Sequence, residues 1–166
     1  ANLKMQDGGG IDFSNYTGPA NVAVSASTGN LLDDYEEGEA TAILTCGSGT
    51  VTLGNDTPPH VKIGSLCTIS GRLIVASVSS PVGSLTMNLP FAIGSYAEDA
   101  ERTAGAVMMN NVVSNNIGDF MLSVGGAGNT YCAFYLGDAS TLVTDASQQM
   151  QATTSIDFCL TYRTAT

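Results

Sequence analysis

Leu66-Cys67-Thr68-Ile69-Ser70-Gly71-Arg72-Leu73-Ile74-Val75-Ala76 decides the fold class. Cys67, Ile69, Leu73 and Val75, with Gly71 between them, alternate with Thr68, Ser70 and Arg72. A period of two puts the first set on one face of an extended chain and the second on the other, whereas a helix would scatter both around its circumference. The pattern predicts a half-buried strand over Val61–Ala76.

The same alternation recurs in both directions. Upstream, Ala42, Leu44 and Cys46 share a face until Gly47-Ser48-Gly49 breaks the run. Val51 and Leu53 then form a short strand that ends at Gly54-Asn55-Asp56, before an extended Pro58-Pro59 loop. Downstream, Ser79-Ser80-Pro81 reads as a turn, and Leu85, Met87 and Leu89 alternate up to Pro90-Phe91. Residues 106–113 form another strand, Asn115-Asn116 a turn, and Phe120, Leu122 and Val124 a further strand closed by Gly125–Asn129. Tyr131, Ala133 and Tyr135 oppose Cys132, Phe134 and Leu136. In the last strand Ile156, Phe158, Leu160 and Tyr162 oppose Asp157, Cys159 and Thr161. About eight strands separated by turn residues, with no helical segment long enough for a βαβ unit, predict an all-β fold: an antiparallel, jelly-roll-like β-sandwich.

The N-terminal region differs. Residues 1–30 are rich in Gly, Asn and Ser, and their apolar pieces are too short to build a core. Such a segment gains stability by packing on the following domain or on copies of itself. Leu31-Leu32-Asp33-Asp34-Tyr35-Glu36-Glu37-Gly38 follows, an acidic joint ending on glycine. The chain therefore divides into an extended lead-in with its joint, residues 1–38, and a β domain, residues 39–166. The first residue is not Met, which suggests a fragment or a processed chain. No signal-peptide pattern opens the sequence.

Fifteen acidic residues against five basic ones give a net charge of −10. That balance disfavours nucleic acid and anionic lipid as partners, both of which are held by clustered Lys and Arg. No apolar run approaches a membrane span. Cys46, Cys67, Cys132 and Cys159 form no CxxC and no zinc-site spacing, and they read as small buried hydrophobes or as one or two disulfides. His60 is the sole histidine, so a nucleophile–histidine system has one candidate base, in a loop after two prolines. No nucleophile elbow or phosphate-binding loop occurs, and the clustered acids lack calcium-loop spacing. No cofactor is expected. A hydrolytic carboxylate pair is sought among Glu98, Asp99, Glu101, Asp119 and Asp157, because glycoside cleavage needs two acids across a cleft.

The order of short motifs resembles the distal domain of tail-fibre and related adhesin proteins of tailed bacteriophages. Gly10-Ile11-Asp12-Phe13-Ser14 precedes the acidic joint. Val61-Lys62-Ile63-Gly64, Ser70-Gly71-Arg72, Leu89-Pro90-Phe91 and the closing Ile156-Asp157-Phe158 follow in that family's sequence. After Gly38 this chain has Glu39-Ala40-Thr41-Ala42 in place of the family's Gly-Thr, aromatic, Thr-Pro continuation.

The resemblance implies a homotrimeric knob at the virion fibre tip. It joins an upstream shaft and attaches to a host surface glycan or protein, without catalysis. The loops at 94–105, 125–130 and 137–148 are the expected contact regions, since recognition commonly sits on scaffold loops. The residue candidates there are Tyr96, Glu98, Asn129, Tyr131 and Asp138. The rival readings are a structural trimerisation or decoration domain and a polysaccharide depolymerase.

Overall fold

The structure, a computed structural model, describes residues 11–12, 31–32, 35–98, 101–113, 119–138, 141–143 and 146–165; the side chains of 11–12, 31–32, 138 and 141–143 are outside the description. Strands β1 (Ile11–Asp12) and β2 (Leu31–Leu32) pair with each other, antiparallel. The remaining strands are β3 (Tyr35–Glu39), β4 (Leu44–Asn55), β5 (Pro59–Ile63), β6 (Leu66–Asn88), β7 (Ala104–Asn110), β8 (Phe120–Val124), β9 (Tyr131–Asp138), β10 (Thr141–Val143) and β11 (Ser155–Arg163). These form one nine-stranded sheet in which every pairing is antiparallel. A 3-10 turn, Ala146–Gln149, precedes β11. No helix among the described residues is long and apolar enough to cross a membrane.

The all-β expectation holds, but the architecture is a barrel rather than a jelly-roll sandwich. β6 explains the difference. At 23 residues it extends about 75 Å, far longer than an ordinary strand, so it coils and is used twice. Its first part, Leu66 to Ile74, pairs with β11. β11 pairs in turn with β7, β7 with β8, and β8 with β9. β9 then returns to the far end of β6, at Leu85 to Asn88. The sheet closes on itself, and closure removes edges that a sandwich would leave open. Alternation defines one buried face per strand whether two sheets stack or one sheet closes, so period two does not separate these architectures.

The predicted inner faces line the interior: Cys67, Ile69, Leu73 and Val75 from early β6, and Leu85 and Met87 from late β6. Leu122, Val124, Cys132, Phe134, Leu136, Ile156, Phe158, Leu160 and Tyr162 complete it. Between the two closures β6 needs a different neighbour. The connection before β11 supplies it: Val75 N–H donates to Thr154 O (2.9 Å), Thr153 N–H donates to Val75 O (2.8 Å), and Ser147 Oγ donates to Gly83 O (2.6 Å). On its other side β6 carries β4, with register shifts around Gly47–Gly49 that bend both strands. Gly49 has φ +75°, and a Cβ there would run into the Ser80 carbonyl, so only glycine fits without distortion.

Two expected boundaries move. Gly64-Ser65 forms a hairpin turn, so Val61–Ala76 is divided between β5 and β6. Ser79-Ser80-Pro81 lies within β6, paired with β4, with Ser80 at φ 42°. The second half of the acidic joint lies in a strand: β3 pairs in register with β5, from Tyr35 opposite Ile63 to Glu39 opposite Pro59. Its Glu36 meets the buried Lys62 at 3.4 Å, and Lys62 Nζ lies 5.4 Å from the centre of the Phe91 ring. Asp33 and Asp34 of the joint lie outside the described residues. All four cysteines are free. Cys67 and Cys132 are buried, Cys46 is half-buried and Cys159 is exposed. Burial pushes the Cys132 thiol up to about 12, which leaves it an unreactive core side chain.

Candidate functional site

Where β6 and β9 close the barrel, the register fixes which side chains share the outer face. Asn88 lies opposite Tyr131, and Thr86 lies opposite both Ala133 of β9 and Thr45 of β4. Cys132, Phe134 and Leu136 point into the core, so the alternate residues Tyr131, Ala133 and Tyr135 must face outward. The small Ala133 between two tyrosines leaves a depression. The resulting groove has a volume of about 550 Å³ and is lined by Thr45, Ser84, Thr86, Asn88, Thr130, Tyr131, Ala133 and Tyr135.

The groove floor is held by hydrogen bonds that do not depend on a ligand. Asn88 Nδ2 donates to Thr41 O (3.0 Å), and Asn88 Oδ1 accepts from Ile43 N–H (2.6 Å), tying β6 to the start of β4. Thr86 Oγ1 reaches Thr45 O at 3.4 Å. Asn129 Nδ2 donates to the Tyr131 hydroxyl at 3.5 Å, steadying a ring that is 40% exposed. The tyrosines stand four positions apart along the strand, a span of about 13 Å. The lining holds hydroxyls, one amide and two aromatic faces, with no carboxylate, imidazole, ammonium or guanidinium. Such a surface stacks on apolar faces and exchanges hydrogen bonds with neutral polar groups, and it offers no charge for an ionic ligand.

The five expected contact residues do not form one site. Asn129 and Tyr131 meet at the groove. Tyr96 is half-buried against the core, its phenol pushed up by burial first and further by Glu101, against the opposing charge of Arg102. Glu98 is exposed in the same loop, and its carbonyl accepts from Glu101 N–H at 3.1 Å. Asp138 ends β9 with its side chain outside the description. Tyr135 was legible as sharing a face with Tyr131, but not as facing outward. Thr45, Ser84, Thr86 and Asn88 were not singled out, because only the pairing of β6 with two distant strands brings them together.

None of the described carboxylates weighed for hydrolysis lines the groove. Asp157 accepts from Arg72 Nε (2.7 Å) and Nη2 (3.0 Å), and Glu101 contacts Arg163 Nη1 at 3.5 Å. Neither these nor Asp119 or Glu98 lines the groove, and Asp99 lies outside the described residues. His60 packs edge-on against Phe91 at 5.5 Å and is a member of none of the ion pairs described above. Among the described residues, no group of three His, Cys, Asp or Glu side chains is placed to hold a metal ion.

No family model and no curated protein matches the chain. Among solved structures, the Dettilon tailspike protein superimposes with a TM-score of 0.64 at 21% sequence identity. The match covers 78% of this chain and 24% of that one. The fold is therefore shared with part of a tailspike, and this chain spans about a quarter of that protein's length.

Proposed function

We propose that this chain is a host-contacting domain of a tailed-phage fibre or tailspike-like protein, and that the Tyr131–Tyr135 groove holds a neutral saccharide of the host surface. The observation that carries the proposal is the groove: two aromatic faces about 13 Å apart over a small residue, ringed by hydroxyls and an amide, without charge. Sugars present apolar C–H faces and neutral hydroxyls, which match those two kinds of group. The fold shared with part of a tailspike and the motif order from Gly10 to Phe158 support placement on a virion. In this reading the domain acts as a homotrimer joined to an upstream shaft, where three weak grooves combine into avid attachment. It binds without turnover, since the acids suited to hydrolysis stand elsewhere.

The test is a glycan array followed by calorimetry with the neutral oligosaccharides that score. Tyr131→Ala and Tyr135→Ala each weaken binding roughly tenfold or more, as expected of central aromatic contacts, with an unchanged melting temperature. Light scattering reports a trimer. Blank arrays together with no adsorption to host cells would overturn the attachment reading, and release of reducing sugar would overturn binding without turnover.

A further inference from the structure

We propose a second binding site: the recess between the end of β11, the Gly64-Ser65 turn and the loop at Gly94-Ser95, which takes an oxyanion, the carboxylate or phosphate ester of an acidic saccharide. The recess has a volume of about 330 Å³ and includes Ser65, Gly94, Ser95, Arg163 and Thr164 in its lining. Its frame is tied by three backbone hydrogen bonds. Gly94 N–H donates to Arg163 O (2.9 Å), Thr164 N–H to Ser65 O (2.7 Å), and Ala165 N–H to Ala92 O (2.9 Å). Gly94 makes this closeness possible, because a Cβ there would stand 2.7 Å from Thr164 O.

The chemistry of the lining differs from that of the groove. Arg163 brings a planar fork of five N–H donors, shaped for carboxylate and phosphate. Its single contact with Glu101 is long, at 3.5 Å, and its side chain is 54% exposed. The other described Lys and Arg side chains are differently placed: Arg72 gives both Nε and Nη2 to Asp157, Lys62 is buried beside Glu36, and the exposed Arg102 lies near Tyr96. Two serine hydroxyls flank Arg163 in the recess. Thr164 is 3% exposed, and its hydroxyl has no hydrogen-bond partner among the described residues. That hydroxyl is shielded from solvent and stands behind the wall of the recess, so the side chains that the recess presents to a ligand are Arg163 and the two serines. Ile93, the residue before Gly94, donates to Asn129 O (2.8 Å) at the rim of the groove. One loop contact therefore lies between a neutral site and an anionic one.

The experiment is an amide NMR titration of the whole chain with sodium phosphate, glucuronate and, as neutral control, glucose. Phosphate, glucuronate or both shift the amides of Ser65, Ser95 and Arg163, and glucose does not. Which anion acts distinguishes a phosphate ester from a sugar acid. Arg163→Gln weakens the response roughly tenfold or more, the loss of a charge-assisted pair. Glu101→Gln removes the competing carboxylate and tightens binding, an effect that loss of structure does not mimic. Tyr131→Ala leaves the anion response intact, so failure here is separable from failure of the groove. The site is refuted by no shift with either anion, by an equal response to glucose, or by a Glu101→Gln variant that binds more weakly.

Discussion

Replacing Tyr162 by Phe removes one oxygen atom from the barrel and leaves the ring in place. That ring is fully buried, and its hydroxyl donates to Phe91 O (3.1 Å) and accepts from Phe91 N–H (3.2 Å). The single oxygen thus satisfies both backbone groups of one residue in the segment that leads from the groove to the Gly94 recess. A net hydrogen bond contributes about 0.5–1.5 kcal/mol, and a stranded buried group costs about 1–3 kcal/mol. Losing two such bonds, with Phe91 regaining part of its bonding from water, destabilises by about 2 kcal/mol. For a urea slope of about 1–3 kcal/mol per molar, the unfolding midpoint falls by about 1 M. The assay is urea unfolding followed by circular dichroism, paired with amide hydrogen exchange over residues 89–94. Exchange there quickens in the variant beyond the global change, while that of Leu122 and Phe134 quickens only by the global change. A midpoint unchanged within about 0.3 M would refute the view that Tyr162 clamps this segment.

Three further outcomes are expected. Alkaline pH destabilises the fold: burial raises Cys132 from 9.0 to about 12 and also raises Tyr162 above its ordinary value of 10.0. The unfolded state releases these protons first, so stability is complete below about pH 9 and declines above it, through the raised Cys132 value near 12. Cys132→Ala removes part of that slope, as measured by urea midpoints at a series of pH values. Gly49→Ala lowers stability by more than about 1 kcal/mol in the same assay, because it places a Cβ against the Ser80 carbonyl at positive φ. Leu73→Ala, in a position with no exposed surface, costs about 2–5 kcal/mol through the cavity it leaves, and the melting temperature reports it.

The sequence carried strand content and facing well, for a physical reason. Burial on one side imposes period two, so Cys67, Ile69, Leu73 and Val75 announce an inner face, and Tyr131, Ala133 and Tyr135 separate from Cys132, Phe134 and Leu136, although which of those two sets is buried came from the structure. Breaks in strands were harder to read. Ser79-Ser80-Pro81 has turn chemistry yet stays paired, because the irregular β4 accommodates it across Gly47–Gly49. Gly64-Ser65 divides a run whose alternation continues on both sides. Closure of the barrel was not legible, since it depends on which strands meet β6 and not on the pattern within any strand. The groove shares that limit. Its aromatic half lies on one strand and was in view, whereas its hydroxyl half comes from positions more than forty residues away, as in the Thr86–Ala133 and Thr45–Thr86 pairs. The Arg163 recess is wholly non-local, joining a hairpin turn, a loop and the end of the last strand.

The position of β11 also bears on how this protein is made. The final strand stands between β6 and β7, with Asp157 paired to Arg72 on one side and to Met108 on the other. A chain emerging from the ribosome therefore has every other strand of the barrel before it has the one that joins them. Until β11 appears, β6 and β7 lack the strand that joins them and present apolar faces to water. Long-range pairing of this kind is slow to form and prone to aggregation while it waits. Truncation that removes β11 is thus expected to yield insoluble product rather than a smaller folded domain.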